Sequence, residues 1–313
     1  MPRVVTVTLN PALDLTVEID ELVAYRKLRG QLVALDPGGG GVNVARVLRR
    51  FDTAVVAVAP FGGISGQSLL AELEREGVSV RAVAADAVTR RSVTLWVTST
   101  REHFRILVEG DPLEERAWRA CLDAVAQLGR PDFVVLSGAL PPAAPAAAVV
   151  TAFSDAARSL GSQFVCDTSG PALAAAVAAG ADLVKPSRGE LRDLVAPGVP
   201  REDFDYREGA RQAIALGVRA VVVSLGADGA FLAAADGTEA EFRSPPIDVL
   251  SSVGAGDSMV AGILLGRLRG RSLPAAVRLG VAAGAATCMQ HGTEVCMPAD
   301  VERLDAELAR DGY

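Results

Sequence analysis

Near-continuous apolar runs recur along the chain at residues 4–9 (VVTVTL), 53–61 (TAVVAVAPF), 132–138 (DFVVLSG), 163–169 (QFVCDTS), 181–187 (ADLVKPS) and 219–226 (RAVVVSLG). Between most of them lie helical stretches such as 65–77 (SGQSLLAELEREG) and 114–128 (EERAWRACLDAVAQL). Strands alternating with helices predict βαβ units and a mostly parallel sheet covered on both faces, with the functional site at its strand ends. Four other segments, 15–20 (LTVEID), 31–35 (QLVAL), 91–99 (RSVTLWVTS) and 104–109 (FRILVE), alternate apolar and polar residues and come in pairs with no helix between them. They predict a small antiparallel sheet outside the main core, built from about 13–36 and 88–110, which serves as a lid over the site. Its apolar face needs a cover, so the lid is also the expected surface of a homodimer. From about Val253 onward the chain reads as helices, and no repeat or disordered linker divides it. The expectation is a single α/β domain over 1–313.

Composition narrows the function classes. The 313 residues are 50% hydrophobic and 4% aromatic, enough for a large aliphatic core. A formal net charge of −7 argues against nonspecific nucleic-acid binding, which relies on Lys and Arg at phosphates. The opening MPRVVTVTLNPALD has no positive region followed by an apolar stretch, so no signal peptide is expected. The longest charge-free run, 133–154, is broken by Gly138, Pro141, Pro142 and Pro145, and predicts a strand, a tight loop and a helix instead of a membrane span. Cys121, Cys166, Cys288 and Cys296 form no C-x-x-C pair, which fits buried thiols in a reducing cytoplasm. Lysine occurs only at 27 and 185, and asparagine only at 10 and 43. In an Arg-rich chain these are either accidental leftovers or positions where a compact ammonium or an amide is required.

Two glycine-rich segments carry the candidate chemistry. In SSVGAGDSMVAG (251–262), Gly254, Ala255 and Gly256 open an apolar helix, where bare N–H groups attract an anion. Asp257 at that spot either caps the helix or takes a proton from whatever attacks the anion. In DPGGGGVNVARVL (36–48), four successive glycines allow backbone to wrap a ligand closely, or make a flexible turn. A dinucleotide fingerprint is weak, because the strand that follows ends in Pro60 and Phe61 rather than an acid. No G-x-x-x-x-G-K-[ST] is present, and with only His103 and His291 a Ser-His-Asp triad or a histidine-rich metal site is not expected.

NPALD (10–14), GGGGVNVAR (38–46), SGALPP (137–142), KPSRGE (185–190), SLGADGA (224–230) and VGAGDS (253–258) resemble, in order and spacing and over essentially the whole chain, the ribokinase-like PfkB carbohydrate kinases. The resemblance implies a doubly wound, mostly parallel sheet with a β lid, and ATP- and Mg²⁺-dependent phosphorylation of a carbohydrate. NPALD resembles the branch acting on sugar phosphates. Within it, kinases of fructose 1-phosphate and tagatose 6-phosphate usually carry lysine where this chain has Gly40, so fructose 6-phosphate is the expected substrate and those two sugars are the alternatives. Carried over, Asp257 is the base and the amides of Gly254, Ala255 and Gly256 form the anion hole. Asp14, Gly38, Gly39, Asn43 and Ser137 line the sugar pocket, and Arg90 with Lys27 takes the sugar's phosphate. Arg90 has an alternative reading as a solvated edge-strand residue, and Asp14 as a strand-entry carboxylate. Lys185, Ser187, Ser224, Gly226 and Gly229 fall on the nucleotide side, although GADG alone also fits a hairpin turn. Glu190 is the indirect Mg²⁺ ligand, and the backbone carbonyls of Ser251 and Val253 match those that bind a monovalent cation, K⁺. Two departures stand out. The family's N-x-x-E element reads Ser187-Arg188-Gly189-Glu190, which predicts weaker Mg²⁺ handling, and Ala139 stands where serine is expected. They keep a catalytically weak sugar-phosphate or nucleotide sensor as a reading from another class, while a nucleoside or unphosphorylated-sugar kinase is disfavoured by Arg90, Lys27 and NPALD.

Overall fold

The computed structural model describes residues 1–310. The first part of the chain forms β1 (Val4–Val7), β2 (Ala12–Ile19), β3 (Gly30–Gly38), α1 (Gly40–Arg50), β4 (Val55–Phe61), α2 (Gly63–Arg75), β5 (Ser79–Ala84), β6 (Arg90–Val97) and β7 (Glu102–Leu107). Next come α3 (Glu115–Gln127), β8 (Phe133–Ser137), α4 (Ala146–Leu160), β9 (Gln163–Asp167), α5 (Gly170–Ala178), β10 (Leu183–Val184), α6 (Arg188–Val195), α7 (Tyr206–Ala215) and β11 (Ala220–Ser224). A hairpin of β11 with β12 (Ala230–Ala234), then β13 (Glu239–Phe242), α8 (Ala255–Leu268), α9 (Leu273–Cys288) and α10 (Pro298–Arg310) complete it.

The nine-stranded sheet runs β13-β12-β11-β10-β9-β8-β1-β4-β5 and is parallel from β11 to β5. Strand order reverses at β1, so β1 and β8 diverge to opposite helical layers and leave a crevice beyond their carboxyl ends. Alternate residues of each central strand feed two cores. Val4, Val135 and Val222 pack with α1, α8 and α9, while Val5, Val134 and Val221 pack with α3, α4 and α7. The sequence pattern foretold the parallel strands but not β5, β12 and β13: the exposed, Arg-interrupted SVRAVA of β5 and the short EAEF of β13 carry little apolar signal.

The second sheet has the order β3-β2-β6-β7. It consists of two antiparallel hairpins, as the paired alternating segments foretold, and their inner strands β2 and β6 run parallel. Alternation sorts its two faces. Asp14, Thr16 and Glu18 on β2 share a face with Ser92, Thr94 and Trp96 on β6, and with Arg105 and His103 on β7. The opposite face carries Leu13, Leu15, Val93, Leu95, Phe104 and Ile106. β3 leads into α1 with only Gly39 between them, which pins the lid root to the main layer.

α8 is buried nearly all round, because it packs on α9 through glycine. A Cβ at Gly262 would come within 2.8 Å of the Gly280 Cα, so the two backbones lie in close contact. This contact fixes the start of α8 at the crevice. No helix among the described residues is long and apolar enough to cross a membrane, in line with the broken 133–154 run.

Candidate active site

The two glycine-rich segments meet across the crevice. Gly254, left-handed at φ 76°, is the N-cap of α8 and makes no side-chain cap, so no side chain covers the first amides, of which Ala255 N–H makes only a long 3.4 Å bond to Ser252 O. Asp257 therefore does not cap this helix. It stands in the first turn with its Oδ2 accepting a 2.8 Å hydrogen bond from Asn43 Nδ2 on α1. Burial, then repulsion from Asp167, push the Asp257 carboxyl up to about 7, against the Asn43 hydrogen bond and the attraction of Lys185 and Arg105. A carboxyl poised there changes protonation state at neutral pH.

Lys185 follows β10 and is buried. Its Nζ lies 3.3 Å from Asp167 Oδ1, and so close to the start of α8 that a Cβ at Gly256 would come to 3.2 Å from it. Burial works against the ammonium, yet Asp167, Asp257 and Glu190 together hold its pKa above the ordinary lysine value. Lys185 is thus an enclosed cation bridging the end of β9 and the first turn of α8. An anion laid on that helix end meets the ammonium and the helix amides together.

On the lid side, Asp14 lies inside β2, 4% exposed, and is not a strand-entry residue. Its carboxylate covers the Cα of Gly38, where no Cβ would fit, and its Oδ2 is 3.6 Å from Arg105 Nη2. Burial raises the Asp14 pKa against the pull of Arg105 and Arg90. Arg90 begins β6, an inner strand of the lid, which removes the edge-strand reading. Its guanidinium donates to Asn10 O and Val108 O, each at 3.3 Å. Gly39 caps α1 without a side-chain bond, and Gly40 abuts the end of β8, where a Cβ would fall 2.6 Å from Gly138 N. Thr16 Oγ1 and Ser137 Oγ are buried with no hydrogen-bond partner among the described residues, and Asp14 Oδ1 and Ser92 Oγ, which stand side by side, have no partner beyond each other. Buried oxygens without partners are costly unless a ligand supplies the bonds.

Ser187 and Glu190 form a reciprocal capping box at α6. Ser187 N–H donates to Glu190 Oε2 at 2.7 Å, and Glu190 N–H donates to Ser187 Oγ at 3.2 Å. The serine thus does the local work of an asparagine N-cap, worth about 1 kcal/mol, and orients Glu190 without an amide. Ser187 also bridges to Ser224 at the end of β11. Gly226 and Gly229 belong to the tight 3₁₀ turn of the β11–β12 hairpin, so the hairpin reading of GADG describes its geometry. Ser251 Oγ donates to Gly292 O at 2.7 Å and accepts from Val253 N–H at 3.3 Å, fastening the 251–253 loop to the segment after α9.

Lys27 does not join the others. It is exposed on the loop between β2 and β3, beyond the Ile19–Gly30 pair, whereas Arg90 pairs with Ala12 at the other end of β2. Seven residues of strand put them on the order of 20 Å apart, so one chain cannot close both cations on one phosphate. Arg105 and Asp167 escaped the sequence reading. Asp167 ends a parallel strand, a position that the strand-end rule singles out. Arg105, in EHFRIL, gave no signal before its register with Thr94 was known.

The chain matches the model of the pfkB family carbohydrate kinases over residues 7–300. It is 39% identical over 320 residues to the ATP-dependent 6-phosphofructokinase isozyme 2 of Mycobacterium tuberculosis, covering 100% of this chain and 93% of that protein. It is 35% identical to the 1-phosphofructokinase of Escherichia coli, covering 98% and 97%. Among solved structures, phosphofructokinase-2 from Escherichia coli in complex with potassium superposes with a TM-score of 0.93 at 36% identity, covering 99% of this chain and 100% of that one. The same enzyme in complex with fructose-6-phosphate gives 0.90 at 35%, with the same coverage.

Proposed function

The chain belongs to the pfkB family of carbohydrate kinases, and from that premise we propose that its crevice transfers the γ-phosphoryl group of ATP to a sugar phosphate, with fructose 6-phosphate as the substrate and its 1-hydroxyl as the acceptor. The buried oxygens without partners carry this reading, because polar atoms sealed from water on the lid and at the end of β8 suit the hydroxyls of a sugar. Asp14 Oδ1 and Ser137 Oγ take sugar hydroxyls, with Gly38, Gly39 and Asn43 completing the wall and Arg105 holding Asp14 in place. Asp257 removes the proton of the attacking hydroxyl. The freed electron pair forms the bond to the γ-phosphorus as the bond to the ADP oxygen breaks, and the amides of Gly254, Ala255 and Gly256 with Lys185 offset charge on the moving group. The nucleotide lies along Ser187, Ser224, Gly226 and Gly229.

The family implies a divalent cation, and the residues fit Mg²⁺. Glu190 is a hard oxygen donor held in place by its capping box at the start of α6. Bound there, Mg²⁺ would neutralise phosphate charge. The backbone carbonyls of Ser251 and Val253 would hold K⁺ at the 251–253 loop.

Gly40 favours fructose 6-phosphate over the fructose 1-phosphate and tagatose 6-phosphate alternatives, because kinases of those two sugars usually carry lysine at this position, and the close contact with Gly138 makes glycine the residue that fits here. In an assay of ADP release with MgATP and fructose 6-phosphate, tagatose 6-phosphate, fructose 1-phosphate, fructose and adenosine, fructose 6-phosphate should give the highest kcat/KM. Arg90→Gln should raise KM for it by about 10- to 100-fold, the worth of a charge-assisted hydrogen bond, and leave any activity on fructose unchanged. Tight binding of a sugar phosphate without turnover would instead make the protein a sensor.

The lid works as part of a single domain that functions as a homodimer. Phe104 and Ile106, 40% and 52% exposed on the apolar lid face, are the contact. Ile106→Asp should yield a monomer in analytical ultracentrifugation, and an unchanged dimer would move the interface elsewhere.

A further inference from the structure

We propose that Arg46 is a positioning residue for the phosphoryl-transfer base: its guanidinium fixes the Asn43 amide, which holds Asp257 with one oxygen engaged and the other free for the sugar hydroxyl. The inference rests on the kinase reading above and extends it to a side chain that touches neither substrate nor nucleotide.

Arg46 stands one turn after Asn43 on α1 and is the largest fully buried side chain among the described residues, 1% exposed. Enclosing a guanidinium is a costly way to fill space, so its contacts carry the explanation. Nε and Nη2 donate to the two oxygens of Glu76, each at 2.7 Å. Nη1 donates to Pro37 O at 2.9 Å, Thr293 O at 3.1 Å and Asn43 Oδ1 at 3.2 Å. A guanidinium has no acceptor. The Asn43 oxygen must therefore face Arg46, and the amide nitrogen is left pointing at Asp257 Oδ2, where the 2.8 Å bond is found. With the amide turned over, donor would meet donor at Arg46 and acceptor would meet carboxylate at Asp257. A lysine could not bind Glu76 with two parallel bonds and reach the three carbonyl oxygens as well.

The same guanidinium gathers the parts that must agree for transfer. Pro37 is the last residue but one of the lid strand β3, and Thr293 belongs to the segment behind the 251–253 loop. Thr293 Oγ1 donates to Asp36 Oδ2 at 2.6 Å, and Asp36 Oδ1 lies 4.0 Å from Arg46 Nη2. Lid root, sugar residue and base are thus referred to one rigid cation.

The charged and titratable groups facing Asp257 are Lys185 after β10, Asp167 on β9 and Arg105 on β7; those facing Arg46 are Glu76 and Asp36, with Arg75 beside both acids. Arg46→Lys keeps the charge balance and removes the geometry. The test is kcat/KM from pH 5.5 to 9.5 on the sugar phosphate that wild type uses best, for wild type, Arg46→Lys, Asn43→Ala, the double variant and Asp257→Asn, with thermal melts for each. With Asn43 no longer held, the acid limb of Arg46→Lys should rise by about one pH unit, costing about tenfold below the limb and at most about twofold on the alkaline plateau. Asn43→Ala should move the limb at least as far, and the double variant no farther. A limb that stays at the wild-type pH while the plateau falls, or shifts that add in the double variant, overturns the proposal. Should Arg46→Lys lose its cooperative melt, Glu76→Gln loosens the guanidinium without removing it; a smaller rise of the limb supports the proposal and an unmoved limb overturns it. If Asp257→Asn is as active as wild type, the kinase reading falls and the proposal with it, which is a different result from an unmoved limb over an Asp257-dependent activity.

Discussion

Asp257→Asn should lower kcat on the sugar phosphate by about 10²- to 10⁴-fold, with a much smaller change in KM, because a general base acts in the transition state and contributes little to ground-state binding. The wild-type enzyme should lose kcat/KM tenfold per unit as pH falls below about 7, since the ionised carboxylate is the active form and its pKa is pushed up to about 7. Stability has the opposite sign. A carboxyl whose folded pKa exceeds its unfolded value of 3.8 binds more protons folded than unfolded, so its contribution is fully present below about pH 4 and is lost as pH rises through about 7. Asparagine cannot ionise, so the variant should melt higher than wild type at pH 8 and gain less at pH 5. Calorimetry at the two pH values beside the kinetic profile checks both halves; a variant that is both active and no more stable at pH 8 would remove Asp257 from the centre of the mechanism.

Lys185→Met should be the most damaging single change to the fold at the site. The ammonium is enclosed with Asp167 at 3.3 Å, and taking one partner from a buried pair leaves the other charge uncompensated, at a cost of about 3–5 kcal/mol. Burial already raises the Asp167 pKa with Lys185 present, so the lone carboxyl should take up a proton, and the loss measured by urea unfolding should be larger at pH 8 than at pH 5. Adding Asp167→Asn should restore most of the stability and none of the activity, which separates the structural role of the pair from the phosphate-facing role of the ammonium. A loss below about 1 kcal/mol in the single variant would mean that the pair is not truly sequestered from water.

The sequence made the site legible where chemistry and backbone demand coincide. GAGD needs uncovered amides and a carboxylate at one helix start, and Gly254 and Asp257 stand there. The lid was legible because alternation survives in strands with one wet face, but the parallel pairing of β2 with β6 that sets Asp14 beside Ser92 was not. What stayed hidden depends on register and distance. Arg105 reaches Asp14 only because β7 pairs with β6 at Thr94, and nothing in EHFRIL announces that pairing. Lys27 and Arg90 look like partners until the length of β2 separates them. The serine at 187 looks like a defect in a motif, yet its capping box gives the helix start a cap and orients Glu190. Arg46 sits within GGGGVNVAR, where it passes as the polar punctuation of an amphipathic helix until its burial is seen.

The scarcity of lysine has a practical side. One ε-amine is exposed at the lid tip and the other is sealed beneath the first turn of α8, held protonated by three carboxylates. Amine-directed acylating reagents attack only free, unprotonated amines, so apart from the chain's amino terminus they have a single side chain to modify. A fluorophore or a bead coupled through lysine chemistry would therefore land on Lys27, reporting on or tethering the tip of the lid without a cysteine having to be engineered.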